Sequence, residues 1–368
     1  MRILHVADSF DIGGAERVLI SDAIGLRAMG HDVTVACSSG GQLQAVAVAG
    51  GVDTLVCQAG EVKRRVSNAF AEALSRMSDA PFDIVHSHMF ASHVAAHRVP
   101  GLGRSRVLTE HSEGTWRSQT DLQESRLFFN GASAIIAVSR QIADRLTRLD
   151  AVPRNQVTTM SNTIPLLPSQ PAGSPPLTRT GPTIGVVARL HPEKGVRAFV
   201  DAAAAMSRAF PCARFVVAGD GPERNELERR VAQCGMQSRI SFLGFVPDGH
   251  SLIRQFDILV VPSITEGTPL VVLEAMASGV AIVATRAGGI PEQVRHGCEA
   301  LLVEAGDVPA IARACTRLLA DETLRSRLIF AARLRMRREF NGAHRLHRLD
   351  QLYRRVLISG SLTGVAAS

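Results

Sequence analysis

Two glutamates, Glu266 and Glu274, stand eight positions apart in VVPSITEGTPLVVLEAMASGVAIVATRAGGIPEQV, residues Val260 to Val294. Ile258 to Val261 reads as a strand, so Glu266 falls in the loop that follows it. Pro269 is expected at the first helical position, where its missing N–H costs nothing. Leu270 to Ser278 then reads as a helix apolar on nearly every face, stopped by Gly279. A helix apolar all round is buried. Glu274 is therefore expected inside a packed element, where a carboxylate is costly unless hydrogen-bonded or neutralised. The amides of Gly267, Thr268, Leu270 and Val271 open that helix and favour an anion such as phosphate. A loop carboxylate, an anion-binding helix start and a buried carboxylate one turn deeper form a socket suited to a sugar linked to a nucleoside diphosphate.

Other chemistry lies outside this segment. Arg189 and Lys194 flank the loop after the strand Thr183 to Ala188, and Lys194 is one of two lysines among 41 basic residues. A chain that otherwise uses arginine places a compact, flexible point charge here. Gly13-Gly14 lies between the first strand and first helix, where doubly wound domains bind phosphates, although a plain tight turn remains the alternative. No G-x-G-x-x-G occurs, and the second strand ends VACSSGG without an acidic residue for a ribose, which disfavours a nicotinamide enzyme. His111 follows the strand Arg106 to Thr109, the end of an open α/β sheet where ligands bind. His86, His88, His93 and His97 invite a metal reading, but no cysteine or carboxylate completes a set nearby. No D-x-D occurs either, so no metal and no cofactor is expected.

The elements that must position these residues alternate from the start. Ile3 to Ala7, Asp32 to Cys37, Ile84 to His86, Arg106 to Thr109 and Ala134 to Val138 read as strands, with a first helix over Ala15 to Met29. PLLPSQPAGSPPLTRTGP, Pro165 to Pro182, breaks the rhythm and reads as a linker. Strands resume at Thr183 to Ala188, Arg214 to Ala218, Ile240 to Leu243, Ile258 to Val261 and Ala281 to Ala284, with a helix over Val196 to Phe210. The expected class is α/β, with two doubly wound, Rossmann-like domains facing each other across a cleft. The boundaries are 1–164, linker 165–182, 183–340, and a helix in 341–368 whose stripe Leu346, Leu349, Leu352, Tyr353 and Val356 suits packing back on the first domain.

With 368 residues and 46% hydrophobic content, two cores are possible, and no apolar run is long enough to span a membrane. The start MRILHVADSF meets Asp8 and Asp11 too early for a signal-peptide core, so a cytoplasmic chain is expected. Six cysteines lack C-x-x-C spacing and read as reduced thiols. The net charge of +7 is uneven: residues 313–355, where twelve arginines face four acids, carry +8, and the remainder is about neutral at −1. These arginines alternate with leucines and lack a nucleic-acid motif; they read as a solvated helix face, with transient contact at an anionic membrane as the second reading.

Several stretches together resemble the retaining, family-four glycosyltransferases of GT-B fold. They are GGAERVL (Gly13 to Leu19), DIVHSH (Asp83 to His88), TEHS (Thr109 to Ser112), AVSR (Ala137 to Arg140), SNTI (Ser161 to Ile164), GVVARLHPEKGV (Gly185 to Val196), VVAGDGP (Val216 to Pro222) and FLGFV (Phe242 to Val246). Glu266 to Glu274 matches the family's E-x7-E, with Thr268-Pro269 where Phe-Gly is usual. The resemblance implies that Arg189 and Lys194 neutralise the leaving diphosphate, aided by amides from Gly267 to Val271. It implies Glu266 on the sugar hydroxyls, Glu274 on the ribose, and backbone of Gly244, Phe245 and Val246 at the base. His111 is implied near the donor sugar or the acceptor, and Gly13 and Gly14 near the diphosphate or acceptor. The expected function is transfer from a UDP- or GDP-linked sugar to a carbohydrate or lipid-linked hydroxyl, in cell-surface polysaccharide or glycolipid synthesis. Two alternatives remain, a sugar-nucleotide epimerase of the same fold and a catalytically idle binding protein.

Overall fold

A computed structural model describes residues 1–62, 65–114, 117–164, 176–177 and 181–365, without side chains beyond 359. The chain divides into two compact units, Met1–Pro168 with Asn341–Ser368, and Ser169–Phe340. The linker expected over Pro165 to Pro182 lies outside the described residues apart from Pro176, Leu177, Gly181 and Pro182.

The first unit runs β1 (Arg2–Ser9), α1 (Gly14–Ala28), β2 (Asp32–Ser39), α2 (Leu43–Ala49), β3 (Asp53–Val56), α3 (Asn68–Ser75), β4 (Phe82–His88) and α4 (Phe90–His97). It continues through β5 (Gly103–Glu110), α5 (Gln119–Asn130), β6 (Ala134–Ala137), α6 (Arg140–Arg148) and β7 (Val157–Thr159). The second unit runs β8 (Thr183–Val187), α7 (Val196–Met206), β9 (Arg214–Ala218), α8 (Arg224–Gln233), β10 (Ile240–Gly244), α9 (Gly249–Ile253), β11 (Ile258–Val261) and α10 (Leu270–Ser278). It ends with β12 (Ala281–Thr285), α11 (Ile290–Gln293), β13 (Leu301–Val303), α12 (Val308–Ala320) and α13 (Glu322–Glu339), before α14 (Gly342–Val365) returns to the first unit.

Both sheets are parallel, in the orders β3-β2-β1-β4-β5-β6-β7 and β10-β9-β8-β11-β12-β13. Each order reverses once, between β1 and β4 and between β8 and β11. Ligands of open α/β sheets bind beyond the strand ends at such reversals. Strands buried on both faces read as continuous aliphatic runs, and Ile258, Leu259, Val260 and Val261 are all buried.

The final helix is a structural part of the first unit. Leu349, Leu352, Tyr353 and Val356 join the core that also holds Ile3, Leu19, Ile84 and Ile136. Arg345 reaches Asp22 at 2.7 Å and donates to the carbonyls of Met160 and Ser161. The arginine-rich segment is therefore not simply a solvated face. Arg345 is 3% exposed, and on α13 Arg335 donates to the Glu292 carbonyl and pairs with Glu299 and Glu339. Leucine spacing marked the packed side of these helices, but the carboxylates that draw the guanidinium groups inward are mostly remote in sequence. Among the described residues, no helix is long and apolar enough to cross a membrane, and all six cysteines are free.

Candidate active site

In the second unit the loops after β8 and β11 are tied together through backbone. The carbonyl of Glu193 accepts from the amide of Ile264 at 2.8 Å. Gly195 is left-handed, φ +60°, and a Cβ there would lie 2.2 Å from the Pro262 carbonyl oxygen. Only glycine allows that approach at that dihedral. The loops thereby bring Lys194 Nζ to 2.7 Å from Glu266 Oε1, with Ser263 Oγ donating to the same oxygen at 2.8 Å. Ser263 is held in turn by its carbonyl, which accepts from Thr285 Oγ1 at 2.6 Å.

A third loop, after β12, backs Glu266. Gly288 has φ +52°, and a Cβ there would lie 1.7 Å from the Glu266 carbonyl oxygen. The Gly289 amide donates to the Gly267 carbonyl at 2.7 Å. Arg189 lies at the mouth of the β8 loop, its side chain 47% exposed and 3.8 Å from Glu193. Two cations and two carboxylates thus meet at the strand ends, Lys194 the more enclosed of the cations.

The helix start differs in detail from expectation. Pro269 is the N-cap, with ψ 130°, and Leu270 is the first helical residue. The proline ring fixes φ, which the extended cap accepts as readily as the first turn. The buried amide side chain of Gln293 donates to the Pro269 carbonyl at 3.1 Å, fixing this cap. The early amides, starting at Leu270 and Val271, remain at a helix N-terminus, where an anion is favoured. Glu274 is 1% exposed, within α10, and Gly279 ends the helix in the left-handed region. Gly244 has φ +69°, its carbonyl accepts from the Gly219 amide at 2.7 Å, and Phe245 beside it is half exposed while Val246 is partly buried.

The first unit holds a second constellation, built from histidines on adjacent strands. His111, just after β5, turns Nε2 inward to His88 Nδ1 at 3.1 Å, and His88 Nε2 meets His5 Nδ1 at 3.1 Å. His86 lies between the Tyr353 hydroxyl and Thr109 Oγ1, each at 2.6 Å. His93 Nδ1 meets Ser87 Oγ at 2.7 Å. Burial holds these imidazoles well below their ordinary 6.5, His5 and His111 down to about 3 with the positive Arg345 adding to the effect. All are therefore neutral near pH 7. Among the described residues, His5, His86 and His88 bring nitrogens together as metal ligands would. Both ring nitrogens of His86 are already engaged at 2.6 Å, and no carboxylate joins the three, so the cluster does not fit a cation.

Gly13 caps α1, and a Cβ on it would strike Glu16, whereas a Cβ on Gly14 would meet open space. His97, one turn beyond His93, is apart from this network; its Nδ1 has no hydrogen-bond partner among the described residues. Sequence reasoning missed Ser263, Gly288, Gln293 and His5. The pair Gly288-Gly289, in the loop that follows β12, was the available signal; a single histidine in an apolar strand carried none.

Two doubly wound parallel sheets, the second with charged loops at its point of strand reversal, define an α/β protein of two Rossmann-like units. A family description, Glycosyltransferase Family 4, matches residues 12–166, and another, Glycosyl transferases group 1, matches residues 181–321. The chain belongs to the family-four glycosyltransferases of GT-B fold. It is 36% identical over 143 residues to a 2-deoxystreptamine glucosyltransferase of Streptomyces kanamyceticus, covering 38% of this chain and 37% of that one. It is 34% identical over 145 residues to an N-acetyl-alpha-D-glucosaminyl L-malate synthase of Bacillus anthracis, covering 39% and 38%. The chain thus spans under two fifths of the length of these curated relatives. Among solved structures, HepE of Anabaena in complex with UDP-glucose superimposes with TM-score 0.81 at 22% identity, over 95% of this chain and 98% of that one. Sucrose-phosphate synthase of Thermosynechococcus elongatus gives 0.81 at 21% identity, over 98% and 100%. At such identities the likeness is one of fold.

Proposed function

We propose that the chain is a retaining glycosyltransferase, moving a sugar from a UDP- or GDP-linked donor to a hydroxyl of a carbohydrate or lipid-linked acceptor. The observation that carries this reading is the Lys194–Glu266 pair at 2.7 Å, beside the N-terminus of α10. The second unit binds the donor and the first supplies the acceptor site. Arg189, Lys194 and the amides from Gly267 to Val271 take up the charge of the departing nucleoside diphosphate. Positive side chains and a helix N-terminus serve there without a cation. Glu266 receives the sugar hydroxyls, Glu274 the ribose, and backbone at Gly244 to Val246 the base.

Retention follows from same-face attack, in which the acceptor oxygen bonds to the anomeric carbon as the carbon–phosphate oxygen bond breaks. The acceptor proton passes to the leaving phosphate. His111 and its neighbours are neutral and lie in the first unit, which suits hydrogen bonding to a bound sugar. The basic segment supports brief contact with an anionic membrane: Phe330 and Leu334 on α13 are exposed, with exposed Arg327, Arg337 and Arg338 one turn away. These features suit an acceptor used in cell-surface polysaccharide or glycolipid synthesis.

The test is incubation of the purified chain with UDP- and GDP-sugars, EDTA and a panel of hydroxyl acceptors, with the product's anomeric configuration read by NMR. An α-linked product from an α-linked donor supports the reading. An inverted product overturns retention, and donor turnover to an epimer without transfer overturns the transferase assignment.

A further inference from the structure

A groove of about 370 Å³ lies against α12 and β13, the edge strand of the second sheet. That is within the range of about 300–1,000 Å³ that small-ligand pockets occupy. Its floor is aliphatic, with Leu302 and Val303 from the strand and Ala310 and Ala314 from the helix. Its rim is cationic. Arg313 and Arg317 stand one turn apart on α12, both exposed, and neither has a carboxylate partner among the described residues. Other guanidinium groups of this basic segment are drawn to carboxylates, as at Arg335, Arg345 and Arg354. Arg286, just after β12, completes the rim and pairs with Glu304 at 3.3 Å.

Charge and polarity select the ligand. Three guanidinium groups against one carboxylate leave the lining with two net positive charges. A phosphomonoester carries about −1.5 to −2 at pH 7 and matches that balance, whereas a carboxylate or phosphodiester carries a single charge. Paired guanidinium groups also suit phosphate oxygens. A peptide strand is disfavoured, because the edge of β13 is already closed. The Leu302 amide donates to His296 Nδ1 at 3.0 Å, the Leu302 carbonyl lies 3.0 Å from the same nitrogen, and the Ala300 carbonyl accepts from the Gly297 amide at 2.8 Å. An incoming backbone would therefore leave its own polar groups unpaired. The aliphatic floor offers no partners for sugar hydroxyls or a nucleobase, but it suits hydrocarbon.

We propose that this groove binds a lipid with a phosphomonoester head, the phosphate on Arg313 and Arg317 and the first part of the chain over Leu302, Ala310 and Ala314. Lys194, Glu266 and α10 do not line it, and neither do Phe330 and Leu334 of α13. The site is thus separate from the donor site and from the exposed patch on α13, and it does not depend on the transferase reading.

Octyl phosphate, octanol, inorganic phosphate and a phosphoserine peptide, each titrated into the full chain by calorimetry, test the proposal. Octyl phosphate is expected to bind about tenfold or more tightly than each of the other three. Arg313→Gln with Arg317→Gln alters only exposed side chains, and is expected to weaken octyl phosphate by about tenfold or more while leaving nucleoside diphosphate binding unchanged. Ala310→Leu fills the floor without altering charge, and is expected to weaken octyl phosphate but not inorganic phosphate. Co-sedimentation with vesicles separates a lipid from a free phosphate: phosphatidic acid in phosphatidylcholine is expected to retain more protein than phosphatidylglycerol at equal surface charge, and the double variant to lose that preference. Octyl phosphate no tighter than inorganic phosphate or octanol, a phosphopeptide that binds as well, equal retention by the two vesicles, or variants that bind as the unaltered chain does would each overturn the proposal.

Discussion

Lys194 Nζ and Glu266 Oε1 lie 2.7 Å apart, although 72 residues separate them in sequence. The loops that carry them follow β8 and β11, the neighbouring strands where the second sheet reverses order. Each side chain orients the other, and Ser263 holds the shared carboxylate oxygen. The carboxylate proposed for the sugar hydroxyls and the ammonium proposed for the diphosphate are thereby set in a fixed relation.

Glu266→Gln and Lys194→Met are each expected to lower transfer by about 100-fold or more, with an unchanged fold. Because the two act on each other, the double variant loses less than the product of the single losses. Steady-state kinetics on the four proteins, with circular dichroism as the control for folding, checks this coupling. Simple multiplicativity contradicts it.

Gly288→Ala tests the backing of Glu266 without touching a charge. The added methyl would lie 1.7 Å from the Glu266 carbonyl oxygen, at a positive φ that disfavours alanine. The variant is expected to lose about 1–3 kcal/mol of stability, and to lose donor affinity beyond what the remaining folded fraction explains. Urea titration and nucleotide binding measure the two effects separately.

Arg345→Leu addresses the docking of α14. Arg345 and Asp22 are both nearly fully buried, and the guanidinium also serves the carbonyls of Met160 and Ser161. Removing one partner of a buried pair leaves an uncompensated charge, so a loss of about 3–5 kcal/mol is expected. Chemical denaturation gives the value, and a loss near zero would show that α14 is held by its apolar stripe alone.

The histidine cluster fixes the sign of the pH dependence. His5 and His111 are held near 3 when folded, against 6.5 ordinarily, so the unfolded chain binds more protons between those values. Their contribution to stability is complete above about pH 6.5 and is lost as pH falls toward 3. Each such imidazole contributes a slope of about 1.4 kcal/mol per pH unit within that window. Denaturation midpoints at successively lower pH, starting from neutrality, should fall, and fall less in His5→Leu than in the unaltered chain.

Much of the fold was legible because its signals are local. Aliphatic runs separated by helical periods marked the longer strands, and Gly279 marked the end of α10 through the left-handed turn it makes. The short strands Asp53–Val56, Val157–Thr159 and Leu301–Val303 carried too little pattern to be read. In the site, Lys194 and Glu266 were visible as unusual residues in loops after strands. Their ion pair was not, because it depends on β8 and β11 lying side by side. His5 and Arg345 were missed for the same reason. His88 reaches His5 only through the sheet, and Asp22 reaches Arg345 only through the docking of α14.

The most direct test of the central claim is calorimetric titration of UDP, GDP and ADP into the full chain in EDTA, repeated with Lys194→Met and Glu274→Gln. The account predicts that one nucleoside diphosphate binds without a divalent cation, and binds about tenfold or more weakly in each variant, a difference of about 1.4 kcal/mol or more. Binding that requires magnesium, or no binding by any of the three, would contradict the donor site described for the second unit.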